Sequence, residues 1–452
     1  MVKEKQTGLN SKNMNFNDAY NFLLSFSNYP RKEYMSDPRH CAIYLKRLQL
    51  FLDILGNPEK KISHYIHVTG TSGKGSVCSI LHSILEASGK KVASTYSPHP
   101  TLITERWKIG NKYMTKKEFV ELVEFIKPKL DEYIRKSPYD MLSFYEVTEA
   151  IGFLWFAKNK ADWAILEVAC GGRFDSSNII PYKDIAVITN IGLDHVGIIG
   201  NNKHEIAYEK AGIIKPNAQV FTTEQDKKIL DIFQKECRKN KVELNKLPIT
   251  NYQLLKYDIN GINFKYRNTN YNLPAIGKHQ IKNSILCIEI AKALGISKEK
   301  IKKGIAKIQL PIRMEVISKK PIILVDSAHN PDKIKSSVET IKKIKNKKIN
   351  IVVGFSGDKN ITGLVKQLSV LKPKSIACTR NTINPFRKVA DPKKIAKKFK
   401  KYNPESKVEI FFDPENALNW SYKNTQKNEI ILITGSVFLA GELRQKTKKL
   451  TI

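Results

Sequence analysis

The sequence lacks any long hydrophobic run and any closely spaced pair of cysteines. Its longest apolar stretches, such as 151–157, are far too short to cross a bilayer, and the first residues include no apolar segment that could act as a signal sequence. The six cysteines are scattered without a C-x-x-C pair, which favours small buried side chains over disulfides or zinc ligands. These absences predict a cytoplasmic protein with no membrane partner.

Acidic residues are scarce relative to basic ones. The chain has 43 Asp and Glu against 77 Lys and Arg, which gives a formal net charge of +34. Such an excess can indicate nucleic-acid binding. Here, however, it consists mostly of lysines along helical stretches such as 342–348 and 393–401, and no aromatic-interleaved basic motif accompanies them. We therefore predict no dedicated nucleic-acid partner, and a field that gathers small anionic substrates.

The pattern of apolar residues predicts two α/β domains. A chain of 452 residues with 41% hydrophobic residues is too long for one compact core. After a helical stretch over 17–55, short β-rich runs alternate with longer amphipathic runs, which indicates a mainly parallel sheet. The alternation restarts near Leu310 and Pro311. We assign 1–311 to an N-terminal and central domain and 312–452 to a smaller, Rossmann-like domain.

The clearest chemical signal is a glycine-rich turn between a predicted strand and a predicted helix. Glycines let backbone N–H groups converge on phosphate oxygens at a helix N-terminus, and the lysine supplies a mobile positive charge. A serine hydroxyl after that lysine can reach Mg²⁺. The spacing departs from the usual G-x-x-x-x-G-K-[ST] pattern, but the order of strand, loop, lysine, serine and helix predicts an ATP site. This phosphate loop consists of Gly70, Thr71, Ser72, Gly73, Lys74, Gly75 and Ser76.

The loop sequence GTSGKGS resembles GTNGKGS of the folylpolyglutamate and dihydrofolate synthases in the Mur ligase superfamily. Further segments resemble that family in the same order: LEVACGGRFDSSN, TNIGLDH, EKAGIIKP, GKHQIKN, DSAHNP and TGSVFLAGE. The resemblance implies a Mur-ligase-like central domain and a glutamate-ligase domain. It also implies a monomeric ligase that uses ATP and two Mg²⁺ ions to join L-glutamate to a folate-type carboxylate through an acyl-phosphate, with tetrahydrofolate or dihydropteroate as acceptor.

The same resemblance implies two metal positions. Ser76, Glu167 and His195 stand where the family binds one Mg²⁺ ion. A carboxylate and a hydroxyl suit this hard cation, whereas an imidazole is a less usual ligand. Lys210 stands where the family has a carbamylated lysine, which acts as a carboxylate-like ligand for a second ion. The alternative is an ordinary lysine that forms an ion pair with Glu209.

Further residues are implied on the nucleotide side and in the second domain. Asn283 would contact the nucleotide, although a polar cluster at a helix N-terminus is the alternative. Arg313 would reach back from the interdomain linker to the γ-phosphate, and Asp326 and His329 would face the nucleotide and the acyl-phosphate. Ile312 replaces the family's usual glycine. Because a β-branched residue does not easily adopt positive φ, we expect a stiffer linker.

The acceptor side is less well defined by the sequence. Ser97, His99 and Glu146 fall in segments that resemble the acceptor-binding region of the folate enzymes, whereas residues 31–47 show little similarity. Two alternatives to folate glutamylation therefore stay open. One is a Mur-type ligase with another carboxylate acceptor, and the other is a basic P-loop ATPase that binds nucleic acid.

Overall fold

The computed structural model describes residues 14–27, 40–248, 251–344, 347–384 and 388–450. The predicted helical N-terminal stretch contains two helices, α1 (Phe16–Ser25) and α2 (Ile43–Ile54). Helix α1 begins with a reciprocal cap, because Asn15 accepts the Asp18 N–H and the Asp18 carboxylate accepts the Asn15 N–H. Residues 28–39, which include most of the diverged segment 31–47, lie outside the described residues.

The first α/β unit is built on an eight-stranded sheet in which six neighbouring strands pair in parallel, while the two remaining strands at one edge pair antiparallel with their neighbours. Its strands in chain order are β1 (His64–Thr69), β2 (Val92–Thr95), β3 (Trp107–Ile109), β4 (Lys112–Tyr113), β5 (Trp163–Glu167), β6 (Ile185–Ile188), β7 (Gln219–Thr222) and β8 (Leu244–Lys246). The spatial order is β4-β3-β2-β5-β1-β6-β7-β8. Strand β1 therefore lies between β5 and β6, and the carboxyl ends of these three strands are neighbours.

Helices cover both faces of this sheet, so its central strands are completely buried and read as continuous apolar runs. The helices are α3 (Lys74–Ala87), α4 (Lys116–Lys136), α5 (Phe144–Lys158), α6 (Lys203–Ala211), α7 (Lys227–Asn240), α8 (Lys278–Ala293) and α9 (Lys298–Ala306). In the part of the chain that is described, every helix is too short or too polar to span a bilayer. Five of the six cysteines are buried, as expected for small apolar side chains.

A three-stranded antiparallel sheet was not predicted. It consists of β9 (Tyr252–Asp258), β10 (Gly261–Tyr266) and β11 (Thr269–Leu273). Burial alternates along β11, and Phe264 stacks on Tyr271 with 5.4 Å between the ring centroids. Asparagine and lysine at the outward positions obscure the short apolar alternation in the sequence, which explains why the pattern was missed.

The second α/β unit confirms the predicted Rossmann-like fold. Its six-stranded sheet has the order β12-β13-β17-β14-β15-β16, with β12 antiparallel to β13 and the other pairs parallel. The strands are β12 (Glu315–Lys319), β13 (Ile322–Val325), β14 (Ile349–Val353), β15 (Ser375–Cys378), β16 (Lys407–Ile410) and β17 (Ile430–Thr434). The helices are α10 (Pro331–Lys342), α11 (Ile361–Ser369), α12 (Pro392–Tyr402), α13 (Pro414–Lys423) and α14 (Val437–Leu450).

Candidate active site

A cleft of about 1360 Å³ lies where the carboxyl ends of the two sheets face each other, which is where open α/β sheets bind ligands. Residues from both α/β units form its walls. The predicted site residues that line it are Thr71, Ser72, Gly73, Lys74, Gly75, Ser76, Ser97, His99, Glu146, Glu167, His195, Asn283, Arg313, Asp326 and His329. Gly70 and Lys210 lie behind this lining.

The phosphate loop is held in shape by the segment that follows β6. The Ser72 N–H donates to Asn190 Oδ1 at 3.0 Å, and the Thr189 hydroxyl donates to the Ser72 carbonyl at 2.7 Å. Helix α3 begins at Lys74, within the loop, so its first N–H groups face the cleft. Lys74 Nζ donates to the Gly70 carbonyl at 2.9 Å. The loop is therefore a preformed anion-binding turn with a lysine folded across it.

Arg313 comes from the linker between the two units and lies against the phosphate loop. A Cβ atom on Gly75 would overlap Arg313 Nη2 and lie 3.1 Å from Glu167 Oε2. Only a glycine leaves room for both side chains at this point. The guanidinium also donates from Nη1 to the Pro311 carbonyl at 3.1 Å. The linker thus brings a fixed positive charge next to the lysine of the loop.

The residues predicted to bind the first metal ion come from three neighbouring elements. Ser76 is in the first turn of α3, Glu167 ends β5, and His195 follows β6 with a φ of 52°. Glu167 Oε2 also accepts the Ser97 N–H at 3.2 Å. No three His, Cys, Asp or Glu side chains form a metal cluster anywhere in the described ranges. This donor set fits Mg²⁺, because Mg²⁺ takes few protein ligands and is bound mainly by substrate phosphates and water.

Lys210 is buried on α6 behind the phosphate loop. Burial, and then the positive charge of Lys74, lower the pKa of Lys210 to about 7. Among the residues that the structure covers, no carboxylate lies within ion-pair distance of Lys210, so the predicted alternative of a pair with Glu209 is not formed. A lysine with such a pKa is substantially uncharged at neutral pH, which is the form that reacts with carbon dioxide.

The side of the cleft that carries the predicted acceptor residues Ser97, His99 and Glu146 is organised around Arg106. Its Nε donates to His99 Nδ1 at 3.2 Å, and its guanidinium lies 5.5 Å from the Phe144 ring centroid and 5.7 Å from that of Tyr145. Burial and the charge of Arg106 lower the pKa of His99 to about 3, so its imidazole is neutral. The result is a buried cation framed by aromatic rings, which suits an aromatic acceptor that carries a carboxylate.

Glu146 is held by two structural partners. It caps α5 by accepting the Ser143 N–H at 2.7 Å, and it accepts two hydrogen bonds from Arg47 at 2.6 and 2.7 Å. Arg47 is completely buried and also donates to Asp140 at 2.8 Å. Sequence reasoning missed Arg47, because its partners are 93 and 99 residues away along the chain. The predicted contact of Glu146 with substrate stays a prediction.

In the second α/β unit, Asp326 and His329 lie at the end of β13. Asp326 accepts the Met314 N–H at 3.2 Å and the Ser337 hydroxyl, and burial raises its pKa despite these hydrogen bonds. His329 Nδ1 donates to the Ser327 carbonyl at 2.7 Å, so the ring is oriented with Nε2 toward Lys333 Nζ, which lies 3.4 Å away. Burial lowers the pKa of His329 to about 3. The imidazole is therefore neutral.

The linker residue Ile312 adopts a φ of 53°, in the region that β-branched residues rarely occupy. Three contacts hold it there. Its N–H donates to Glu315 Oε2 at 2.9 Å, its carbonyl accepts the Ser327 N–H at 2.7 Å, and its side chain is buried among apolar residues of the second unit. Glu315 is fixed in turn by two hydrogen bonds from Arg444. The linker is thus rigid and strained in this conformation.

Comparison with known protein families matches two segments of the chain to Mur ligase domains. Residues 141–291 match the Mur ligase middle domain, and residues 312–437 match the Mur ligase glutamate ligase domain. The chain is 31% identical over 420 residues to the dihydrofolate synthase/folylpolyglutamate synthase of Bacillus subtilis, with 89% of this chain and 95% of that protein covered. It is 28% identical to the folylpolyglutamate synthase of Lacticaseibacillus casei, with 96% and 98% covered.

Solved structures give the same result. Folylpolyglutamate synthase of Mycobacterium tuberculosis, solved in complex with ADP and AMPPCP, superposes with a TM-score of 0.80 at 26% identity, covering 89% of this chain and 95% of that one. The enzyme of the same name from Thermotoga maritima superposes with a TM-score of 0.80 at 26% identity, covering 94% and 96%. The chain belongs to the folylpolyglutamate synthase and dihydrofolate synthase family, which confirms the predicted resemblance.

Proposed function

We propose that this protein is an ATP-dependent ligase that joins the amine of L-glutamate to the carboxylate of a folate-type acceptor. The observation that carries this proposal is the meeting of three features in one cleft: the preformed phosphate loop, Arg313 of the linker and Glu167 at the end of β5. A cleft with these features, between two α/β units, suits transfer of a phosphoryl group to a carboxylate.

On the nucleotide side, the loop N–H groups and Lys74 would bind the β- and γ-phosphates. Arg313 would contact the γ-phosphoryl group from the linker side. Asn283, whose Oδ1 lies close to Gly73, would contact the nucleotide. Asp326 would support this arrangement indirectly, because it holds the linker through the Met314 N–H. These roles supply positioning and charge neutralisation, which dominate catalysis of phosphoryl transfer.

We propose that Ser76, Glu167 and His195 hold one Mg²⁺ ion and that Lys210, once carbamylated, holds a second. When bound, these ions would neutralise negative charge on the transferred phosphoryl group. The low pKa of Lys210 supports carbamylation, since the reacting form is the free amine. Ser97 links this region to the acceptor side, because its N–H donates to the Glu167 carboxylate.

The acceptor carboxylate would attack the γ-phosphorus, which breaks the bond to ADP and forms an acyl-phosphate. The glutamate amine would then attack the acyl carbon, and phosphate would leave as the amide bond forms. Arg106 and His99 would orient the acceptor from one wall of the cleft, and His329 would face the incoming amine from the other. Because the pKa of His329 is lowered to about 3, its imidazole is a weak base, and the glutamate amine would therefore attack in its deprotonated form.

Tetrahydrofolate and dihydropteroate are the acceptors we propose, and a different Mur-type carboxylate acceptor is the main alternative. We further propose a monomer that acts in the cytoplasm without a nucleic-acid partner, divided into domains at 311 and 312. A basic nucleic-acid-dependent ATPase would instead require hydrolysis that DNA or RNA stimulates.

The test is phosphate release and glutamylated product, measured with ATP, glutamate and each of dihydropteroate, tetrahydrofolate and a UDP-muramyl acceptor. Lys74→Ala should lower product formation at least about 100-fold, because it removes the charge nearest the transferred group. Lys90→Ala, an exposed lysine beyond the same helix, is the matched control. Near-normal product formation by Lys74→Ala would overturn the proposal. ATP hydrolysis that requires no acceptor and is stimulated by DNA would also overturn it.

A further inference from the structure

Lys333 lies in the first turn of α10 and lines the cleft, although none of the sequence motifs indicated it. Its Nζ is 3.4 Å from His329 Nε2. It faces the first α/β unit, where Asp194 and Lys74 are its principal charged neighbours. Lys333 is thus a cation that the second unit presents to the phosphate loop.

Three cations converge on this part of the cleft: Lys74 from the loop, Arg313 from the linker and Lys333 from α10. The positive charges of Lys74 and Arg313 disfavour the charged form of Lys333 and lower its pKa. No carboxylate among the described residues lies within ion-pair distance of Lys333 Nζ. Asp194 and Glu167 favour the charged form of Lys333, so three cations face two carboxylates here, and this excess of positive charge is complementary to an anionic ligand.

Asn330 provides independent evidence that a ligand binds at this helix end. Its Oδ1 accepts the Lys333 N–H at 3.0 Å and so caps α10. Its Nδ2 is buried and has no hydrogen-bond partner within the described part of the protein. Asn330 lines the cleft and is only 7% exposed. A buried amide donor without an acceptor is costly, unless a bound group accepts from it.

We propose that Lys333 is a third phosphoryl-binding cation, which contacts the γ-phosphoryl group during its transfer, with Asn330 Nδ2 as a neighbouring donor. This inference rests on the proposed ligase function. In the step that it assists, the bond between the γ-phosphorus and the ADP oxygen breaks while a bond from the acceptor carboxylate oxygen to that phosphorus forms. The Lys333 ammonium neutralises charge throughout and transfers no proton.

The proposal predicts a difference between nucleotides. The variants are Lys333→Met and Lys333→Arg, with Lys335→Met, an exposed lysine on the same helix, as the matched control. Binding of ADP and of a non-hydrolysable ATP analogue is measured for each. Lys333→Met should weaken binding of the ATP analogue about tenfold, the usual effect of one charged hydrogen bond, and leave ADP binding within about twofold. Lys333→Arg should restore most of the analogue binding and most of the product formation.

If Lys333→Met weakens the binding of both nucleotides equally, or weakens the binding of neither, the proposal is overturned. A Lys333→Arg variant that binds the analogue normally but makes product as slowly as Lys333→Met would instead assign proton transfer to Lys333. If thermal unfolding shows that Lys333→Met does not fold, Lys333→Gln takes its place. Should the wild-type protein form no glutamylated product with any acceptor, the ligase function fails, whereas the nucleotide comparison still decides the role of Lys333.

Discussion

The sequence predicts that Glu146 contacts substrate, whereas in the structure Glu146 forms a buried ion pair with Arg47. The substitution Glu146→Gln distinguishes these two roles. Glutamine still caps α5, because its side chain can accept the Ser143 N–H. It cannot balance the charge of Arg47, whose side chain is fully buried. Hydrogen bonds and charges from Glu146 and Asp140 outweigh burial and hold the pKa of Arg47 above its ordinary value. The substitution therefore removes one of the two carboxylates that the described residues place against this buried guanidinium.

Breaking a buried ion pair from one side costs about 3–5 kcal/mol. Since Asp140 keeps its hydrogen bond to Arg47 at 2.8 Å, we expect Glu146→Gln to lose about 3 kcal/mol, the lower end of that range. The assay is urea unfolding, monitored by circular dichroism. Because the chain has two α/β units, it can unfold in more than one transition, so the free energy of unfolding is taken from the first transition. Glu132→Gln, which disrupts a surface pair with Lys136, is the control and should unfold like the wild type.

A second substitution tests the pairing directly. Arg47→Met combined with Glu146→Gln removes both charges, so the double variant should be much less destabilised than the sum of the two single variants. Wild-type stability of Glu146→Gln together with an increased KM for the acceptor would refute this reasoning and assign Glu146 to substrate binding. Additive effects of the two substitutions would refute the energetic coupling.

Two further predictions concern residues beside the site. Ile312→Gly should relieve about 1–2 kcal/mol of strain at positive φ, but it removes a buried side chain that contributes about 2–5 kcal/mol. The melting temperature of the variant should therefore be lower than that of the wild type. A higher melting temperature would mean that the relief of strain outweighs the lost burial. Burial, with the charge of Asp175, raises the pKa of Glu149 to about 8, so the folded protein retains a proton on this carboxyl group at neutral pH. The free energy of unfolding that this retained proton contributes is lost as pH rises through that value. The stability of Glu149→Gln relative to wild type should therefore increase between pH 5 and pH 8, by up to about 1.4 kcal/mol per pH unit; a constant difference would contradict the raised pKa.

The features that the sequence predicted well are those defined by consecutive residues. The phosphate loop, the strand that ends at Glu167 and the segment before His195 each combine an apolar run with a polar end, and this pattern is visible within about ten residues. Because parallel strands share one carboxyl edge, such segments can be assigned to the same site without a structure. The predicted mainly parallel sheets of the two α/β units were confirmed on this basis.

The features that were missed depend on contacts between distant residues. Arg47 precedes Glu146 by 99 residues, and nothing near Arg47 indicates that it is buried. Lys333 is one lysine among many in a chain with a net charge of +34. Only its position opposite Lys74 distinguishes it from the solvated lysines of the same helix. Composition therefore conceals a functional lysine in this protein, and the geometry of the cleft is needed to recognise it.

The two α/β units each contribute cations to the cleft, and these cations repel one another. Lys74 belongs to the first unit and Lys333 to the second, and each unit would repel the other at this point if Asp194 were absent. The positive charges of His195, Lys333 and Lys74 outweigh burial and hold the pKa of Asp194 below its ordinary value, so this carboxylate stays ionised and partly offsets the repulsion. A nucleotide γ-phosphate adds more negative charge at the same place than Asp194 alone provides. Because the interaction of opposite charges strengthens as water is excluded, we expect ATP to offset the repulsion between Lys74 and Lys333 more strongly than ADP, which lacks the group to be transferred.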